Sequence, residues 1–243
     1  MVRIASQARL RTSFFWCSSM ADFRIEESEG MRWVKVHLEN QSVRTEHRAL
    51  NHMSGEVTMD VPLPSLRAWW ISLFSDESLI RPRFTGTGDV YLDSTLGGYH
   101  IFDVRPGEKW VLDHRCFWAA DAGVNLGIYR EWMTTAFWAG EGFLWFKTFL
   151  QGEGRAVLSV DGPVHEIELK NERLVVDGSF VLARTSGIKF SMRRPARSLL
   201  SYWMSGENLS RVYEGAGRLL MCTTPYWRLK LVRQRAQDAA LLE

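Results

Sequence analysis

The chain has 243 residues, of which 46% are apolar, 24% charged and 12% aromatic, and this composition excludes a collagen, a disordered chain and a disulfide scaffold. No run reaches the roughly 18 uninterrupted apolar residues that a membrane-spanning helix needs, so the sequence predicts no such helix. The cysteines, Cys17, Cys116 and Cys222, have neither zinc nor disulfide spacing and indicate a reducing compartment.

The first 21 residues differ in composition from the rest. Residues 1–19 contain Arg3, Arg9 and Arg11 and no acidic residue, and polar residues interrupt their apolar runs. This pattern has two interpretations: a mitochondrial transit peptide, or an over-long reading frame whose true start is Met20. The second is favoured and places the protein in a bacterial cytoplasm, whereas the first places it in mitochondria. In both cases residues 1–21 are expected to lie outside the fold.

The remaining chain is almost neutral. Three of the 30 Lys and Arg residues lie in the extension, so 27 basic side chains face 28 acidic ones in the body. A protein that binds nucleic acid by neutralising phosphates carries a clear basic excess. We therefore expect no specific nucleic-acid partner.

The body, residues 22–232, is predicted to be a single domain of β-strands, because no Pro- or Ser-rich linker divides it. Val, Ile, Phe and Trp dominate its apolar runs, and residues 166–169 and 228–231 alternate polar and apolar at period two, as strands with one buried face do. Helical patterns are few: residues 63–74 are predicted to form one short helix, and the tail, residues 233–243, a frayed terminal helix.

An internal repeat organises the body. Each copy has an acidic residue, then a Gly-x-Gly, then a short alternating strand. Equivalent positions keep nearly constant offsets, since Glu77 to Glu141 is 64 residues and Gly88 to Gly154 is 66. The three elements are Gly86-Thr87-Gly88, Gly152-Glu153-Gly154 and Gly215-Ala216-Gly217. Agreement between several independent features indicates a threefold repeat.

The third copy lacks its second half, and the N-terminal region supplies a match for it. Residues 37–46 align with residues 168–177, so that Glu46 stands opposite Asp177. We expect the first strands to complete the last repeat and close the sheet, because closure removes exposed strand edges. The predicted fold class is all-β, with three pseudo-threefold-related β repeats closed by the N-terminal strands.

The Gly-x-Gly elements are predicted to form bulges or tight turns. A phosphate cradle needs a strand, a longer glycine-rich turn and then a helix whose N-terminus meets the phosphate. Here another strand follows each element, so the structural interpretation is favoured.

The sequence resembles the mitochondrial-biogenesis family named for altered inheritance of mitochondria. The resemblance rests on residues 138–143 (Trp-Ala-Gly-Glu-Gly-Phe), residues 205–209 (Ser-Gly-Glu-Asn-Leu) and the triplicated Gly-x-Gly strands, and it covers about residues 22–232. It implies a fold like that of the tryptophan RNA-binding attenuator protein, a double-stranded β-helix-like architecture with pseudo-threefold symmetry. It also implies soluble bacterial members of unassigned role, and mitochondrial relatives linked to inner-membrane organisation and respiratory-complex integrity. Asn208 and Ser78 depart from the glycine that the second copy has at Gly142.

Three glutamates are candidates for a binding site. Glu77, Glu141 and Glu207 recur at matched positions of the three copies. Three carboxylates around an axis bind a cation or raise one another's pKa. The favoured alternative is structural: each glutamate accepts backbone amide bonds at a turn or pairs with an arginine.

His100 and His165 also occupy equivalent positions, with Trp227 as the third equivalent. Three histidines bind zinc, but an indole donates a hydrogen bond and never ligates a metal. We therefore predict no metal site and keep the three positions as candidates for binding.

Most of the 11 tryptophans are expected in the core, since a β ring needs bulky inward-facing side chains. Trp69 and Trp70, close to Phe74, are candidates for an exposed aromatic patch that contacts a partner or a membrane surface.

Motifs of catalysis are absent from the sequence. Gly-x-Ser-x-Gly, His-Glu-x-x-His and Cys-x-x-Cys do not occur, and Cys116 and Cys222 lie in apolar runs where they are predicted to be buried. The sequence therefore predicts no enzyme and no cofactor.

The predicted function is that of a β-repeat scaffold or interaction protein, linked to membrane or respiratory-complex organisation. Self-association or a protein partner is expected, with a membrane surface as a further partner. The alternative is a small-ligand or RNA-binding module that uses repeat-equivalent sites.

Overall fold

The structure is a computed structural model that describes residues 20–62, 81–95, 97–130, 146–176, 180–193 and 210–222. In these ranges the chain forms strands, turns and bends, and no helix there is long and apolar enough to cross a membrane. The strands in chain order are β1 (Asp22–Ser28), β2 (Met31–Thr45), β3 (Leu50–Asp60), β4 (Arg83–Leu92), β5 (Tyr99–Val104), β6 (Lys109–Leu112), β7 (Phe117–Asp121), β8 (Val124–Arg130), β9 (Phe146–Gly152), β10 (Gly154–Ser159), β11 (Val164–Val176), β12 (Val181–Thr185), β13 (Ile188–Arg193) and β14 (Ser210–Cys222).

The first sheet has seven antiparallel strands in the order β3-β4-β2-β7-β10-β5, with β1 paired to the first part of β2. Its central strand β2 follows the period-two pattern of a strand with one buried face. Val34, Val36 and Leu38 are fully buried, and the residues between them are only partly covered. The alternation therefore fixes which face of the sheet lies against the core.

The second sheet also has seven antiparallel strands, in the order β11-β14-β12-β6-β9-β8, with β13 paired to β14. Its longest ladder joins β11 to β14, from Val164 opposite Cys222 to Val176 opposite Arg211. Together the two sheets give the all-β architecture that the sequence predicts.

Each Gly-x-Gly lies within or between strands in a conformation that favours glycine. The φ angles of the first and second glycines are 138° and 152° for Gly86 and Gly88, 132° and 147° for Gly152 and Gly154, and 133° and 150° for Gly215 and Gly217. A Cβ on the first glycine of each element would lie 2.0, 2.2 or 2.5 Å from a neighbouring carbonyl oxygen. Close backbone approach therefore explains why glycine is required there.

A bulge lies opposite two of these elements, in the partner strand, whereas the sequence predicts the bulge or turn in the glycine element itself. In β2 the register with β4 shifts at Asn40, which has φ 59°, and in β11 the register with β14 shifts at Asn171, which has φ 60°. Asparagine tolerates this left-handed conformation better than other residues that carry a Cβ. The aligned segments 37–46 and 168–177 thus carry the same irregularity at the same place.

The buried apolar side chains form three clusters. One surrounds Trp110, one surrounds Phe84, and one surrounds Ile188, and all three of these side chains are fully buried. Cys116 and Cys222 are buried, which confirms the expectation drawn from their apolar surroundings.

One expectation about the sheets is not met, and another feature was not foreseen. Neither sheet closes on itself in the described part of the chain, because β3 and β5 end the first sheet and β11 and β8 end the second. The N-terminal strands take places within the first sheet instead of sealing a ring. The unforeseen feature is that the chain passes from the second sheet to the first at Glu153, the residue between β9 and β10. The predicted helices at 63–74 and 233–243 lie outside the described residues.

Candidate functional site

Two short ladders, which we call seams, join strands that lie far apart in sequence. In the first seam β2 pairs antiparallel with β7, through Val43–Asp121, Arg44–Ala120 and Thr45–Ala119. The amide of Glu46 donates to the carbonyl of Trp118 (2.7 Å) at one end. At the other end the amide of Ala122 donates to the carbonyl of Ser42 (3.1 Å).

The second seam repeats this arrangement between β6 and β12, through Trp110–Thr185, Val111–Arg184 and Leu112–Ala183. The amide of Asp113 donates to the carbonyl of Leu182 (2.7 Å). The amide of Ser186 donates to the carbonyl of Lys109 (2.8 Å). Both seams are buried, since Thr45, Ala119, Trp110 and Leu112 are at most 1% exposed.

By contrast, the strands that end the sheets, β3, β5, β8 and β11, each pair with one strand, and no other described strand lies along their second edge. Residues 51–56 of β3 are all exposed, and Met53 and Met59 are 42% and 47% exposed. On β11, Val175 is 51% exposed. Open edges with apolar side chains are places where another strand adds.

Shielded ion pairs form at the acidic residues that come directly after the seam strands β2 and β6. Arg81 forms an ion pair with Glu46, the residue after β2, and donates from Nη2 to Oγ1 of Thr148 (3.1 Å). Asp113, the residue after β6, lies 3.1 Å from Nζ of Lys147 and 3.8 Å from Nη1 of Arg211. The contact between Arg81 and Thr148 connects a segment next to β4 in the first sheet with β9 in the second. Arg81 therefore ties the two sheets together, whereas the pairs of Asp113 lie within the second sheet.

The aromatic ring of Phe190 lies among three of the shielded cations. Nζ of Lys147 and Cζ of Arg184 and of Arg211 lie 5.5, 5.8 and 5.9 Å from its centroid, which is cation–π range. Burial raises the pKa of the neighbouring Tyr213 hydroxyl, so that group stays neutral.

A cavity of about 450 Å³ opens beside β5. Its lining residues are Arg32, Tyr99, His100, Val160, Gly162, Pro163 and Val164. The volume lies in the range of small-molecule sites, roughly 300–1,000 Å³. Nε of Arg32 donates to Oε2 of Glu27 (2.7 Å), so the cation at the cavity is paired with a partly exposed carboxylate.

Burial lowers the pKa of His100 below its ordinary value, and the carboxylate of Glu166 opposes that shift. The imidazole is therefore neutral at pH 7, with one ring nitrogen that can donate and one that can accept a hydrogen bond. Burial raises the pKa of Tyr99 to about 12, and its hydroxyl donates to the carbonyl of Asp93. The cavity thus offers one cation and one neutral imidazole to a ligand.

Of the side chains that the sequence singles out, the structure describes His100 and His165. His100 is partly buried at the cavity, whereas His165 is exposed on β11. The other candidates, Glu77, Glu141, Glu207, Trp69, Trp70 and Trp227, lie outside the described residues. No group of three His, Cys, Asp or Glu side chains suited to a metal occurs in the described ranges.

Sequence reasoning missed the residues of the open edges, above all Met53 and Val175. The repeat offsets contain part of the signal, because they align Val175 with Val111. They do not reveal that Val111 has a partner strand, and strand pairing across seams becomes visible only in three dimensions.

Comparison with known proteins gives one family and one fold neighbour of note. The family described as mitochondrial biogenesis AIM24 matches residues 23–224. The crystal structure of protein SPYM3_0169 from Streptococcus pyogenes is similar with a TM-score of 0.64 at 18% identity, over 89% of this chain and 99% of that chain. At this identity the similarity concerns the fold alone. A search of curated protein sequences finds no match.

Proposed function

Because this chain belongs to the mitochondrial biogenesis AIM24 family, we propose that it is a non-catalytic scaffold of three β repeats that assembles through its open strand edges. The single observation that carries the proposal is the pair of open edges on β3 and β11, with Met53 and Val175 exposed. The proposed role is organisation of a membrane or respiratory complex, as the family resemblance implies. Self-association is the favoured contact, and a protein partner is the second.

The threefold repeat is supported by equivalent backbone contacts. The three Gly-x-Gly elements have nearly the same φ angles. Each copy also has one equivalent backbone hydrogen bond after its Gly-x-Gly strand. The amides of Asp93, Ser159 and Cys222 donate to the carbonyls of Ala49 (2.7 Å), Cys116 (2.8 Å) and Phe180 (2.8 Å), respectively. Equal contacts at equal places are what repeats of one unit produce.

The scaffold role is supported by what the edges expose. Charged side chains, bulges or covering loops usually protect edge strands in proteins that do not assemble. Here β11 carries charged side chains and the bulge at Asn171, but Met53, Met59 and Val175 remain exposed apolar positions on the two edges. Strand edges recruit additional strands by backbone hydrogen bonds.

Light scattering coupled to gel filtration tests the proposal. We expect the molar mass of the full-length protein to rise with concentration from the micromolar range upward, because association follows mass action. A mass that stays at 28.0 kDa at every concentration would contradict self-association.

A second candidate function is binding of a small acidic ligand, favoured by the cavity that contains Arg32 and His100. Thermal unfolding with and without a panel of small dicarboxylates tests it, since a ligand that binds the native state raises Tm. The control is Arg32→Gln, which removes the cation. A Tm that no member of the panel raises in the wild type counts against this function.

A further inference from the structure

The open edges of β3 and β11 correspond to strand positions that are paired elsewhere in the same chain. Resting on the proposed self-association, we propose that a second copy of this chain fills them. In this assembly β11 of one chain pairs antiparallel with β3 of the next, and Val175 lies opposite Met53. The contact is a third seam, formed between chains.

The register on the β3 side follows from the Gly-x-Gly ladders. In each repeat we take the residue that lies opposite the position two places after the second glycine. This residue is Met53 in the first copy, Ala120 in the second and Arg184 in the third. Ala120 is the central residue of the first seam, and Arg184 is the central residue of the second. Met53 is therefore the central residue of the missing one.

The register on the β11 side follows in the same way. Arg44, Val111 and Val175 each lie opposite the residue five places before the second glycine. Arg44 pairs with Ala120, and Val111 pairs with Arg184. By the same rule the partner of Val175 is Met53.

The backbone supplies hydrogen bonds that match those of the two existing seams. Gly55 corresponds to Ala122 and Ser186, whose amides donate across the first and second seams. Arg173 corresponds to Ser42 and Lys109, whose carbonyls accept those bonds. The amide of Gly55 and the carbonyl of Arg173 are thus the groups that bond across the third seam, and this bonding satisfies two edge groups at once.

Exposure shows that this contact is not made within the chain. Val111 is 2% exposed and Ala120 is fully buried, whereas Val175 and Met53 are 51% and 42% exposed. Pairing removes this apolar surface from water, which favours association. Each chain offers one edge of each kind, so the contact is head-to-tail and the assembly either closes into a ring or grows as a filament.

The test uses two full-length chains with Cys17→Ser, one carrying Met53→Cys and the other Val175→Cys. Directly opposite side chains have Cβ atoms about 4.5–5.5 Å apart, so a short bis-methanethiosulfonate reagent bridges the two thiols. We expect the mixture to give covalent dimers at several times the yield of either chain alone. The matched control mixes Met59→Cys with Val175→Cys, because Met59 is equally exposed on the same strand but out of register.

A separate variant tests the same seam without cysteines. Val175→Asp places an uncompensated charge in the contact and is expected to shift the protein to monomers. Val61→Asp, at an exposed apolar residue outside the seam, is expected to leave the mass unchanged.

The outcomes separate this inference from the proposed function. If the wild type assembles but the Met53–Val175 mixture gives no more dimer than the Met59 control, the register is wrong while the scaffold proposal stands. If a chain that carries both cysteines cross-links only within itself at high dilution, its own β3 fills the edge and the second copy is excluded. A wild type that is monomeric at every concentration contradicts both.

Discussion

Nζ of Lys147 lies 3.1 Å from Oδ1 of Asp113, and their side chains are only 8% and 18% exposed. Arg211, which is 6% exposed, approaches the other oxygen of the same carboxylate. The carboxylate of Asp113 thus faces two shielded cations next to the second seam. Breaking a shielded pair is costly because it leaves buried charge without compensation.

Asp113→Asn is expected to lower the free energy of unfolding by about 3 kcal/mol, because the amide neutralises neither Lys147 nor Arg211. Urea unfolding followed by circular dichroism measures the change. The control is Asp22→Asn, which breaks a surface pair with Arg24 and is expected to cost less than about 1 kcal/mol. Equal losses of unfolding free energy in the two variants would show that the shielded pair stabilises the fold no more than the surface pair.

Gly86→Ala is expected to destabilise the first sheet by about 3 kcal/mol, because the residue has φ 138° and its Cβ would lie 2.0 Å from the carbonyl oxygen of Glu56. Gly107→Ala separates the two causes. Gly107 has φ 84° with nothing within 4 Å of its Cβ position. Its replacement by alanine therefore costs only the backbone strain of a positive φ, about 1 kcal/mol. Chemical denaturation of both variants gives the difference, and a smaller loss for Gly86→Ala than for Gly107→Ala would refute the steric account.

His100 makes stability depend on pH near neutrality. Burial lowers its pKa in the folded state, so the unfolded chain binds the proton more readily. Stability is therefore expected to fall as the pH drops through about 6.5, the ordinary histidine pKa, towards the folded pKa. His100→Gln removes this contribution, while His165→Gln, at an exposed position, leaves it in place. Unfolding curves at several pH values measure the slope, and an unchanged slope in His100→Gln contradicts the assignment.

Arg218 produces a dependence of the same sign in a more acidic range. Burial raises the pKa of Glu108, but hydrogen bonds and charge from Arg218 outweigh burial, so the net pKa is lowered from 4.5. This stabilisation is present above the ordinary pKa and is lost as the pH falls through the folded one. Arg218→Gln is expected to lower stability at neutral pH and to flatten the acid limb of the curve.

The control for that experiment is Arg173→Gln. Arg173 pairs with Glu214 at 3.3 Å, but both side chains are about half exposed. Water and salt screen such a pair, so little change is expected. An acid limb that flattens equally in both variants would mean that Arg218 does not hold the Glu108 carboxylate.

Much of the local structure was readable from the chain. The alternation at residues 166–169 of β11, the glycines of the three Gly-x-Gly elements and the burial of Cys116 and Cys222 all depend on neighbours close in sequence. The alignment of residues 37–46 with residues 168–177 was also informative, since Asn40 and Asn171 both form a bulge. Of the candidate site residues, the structure places His100 at a cavity and His165 on an exposed face.

By itself the sequence determined the all-β class, the family and the positions where only glycine fits, because periodicity and backbone conformation are local properties. The tertiary structure decided which strands share a sheet, that neither sheet closes in the described ranges, and that Met53 and Val175 remain exposed. These features depend on pairing between strands distant in the chain. Arg44, Val111 and Val175 hold the same place in their repeats, yet two of them face a partner strand and the third faces water.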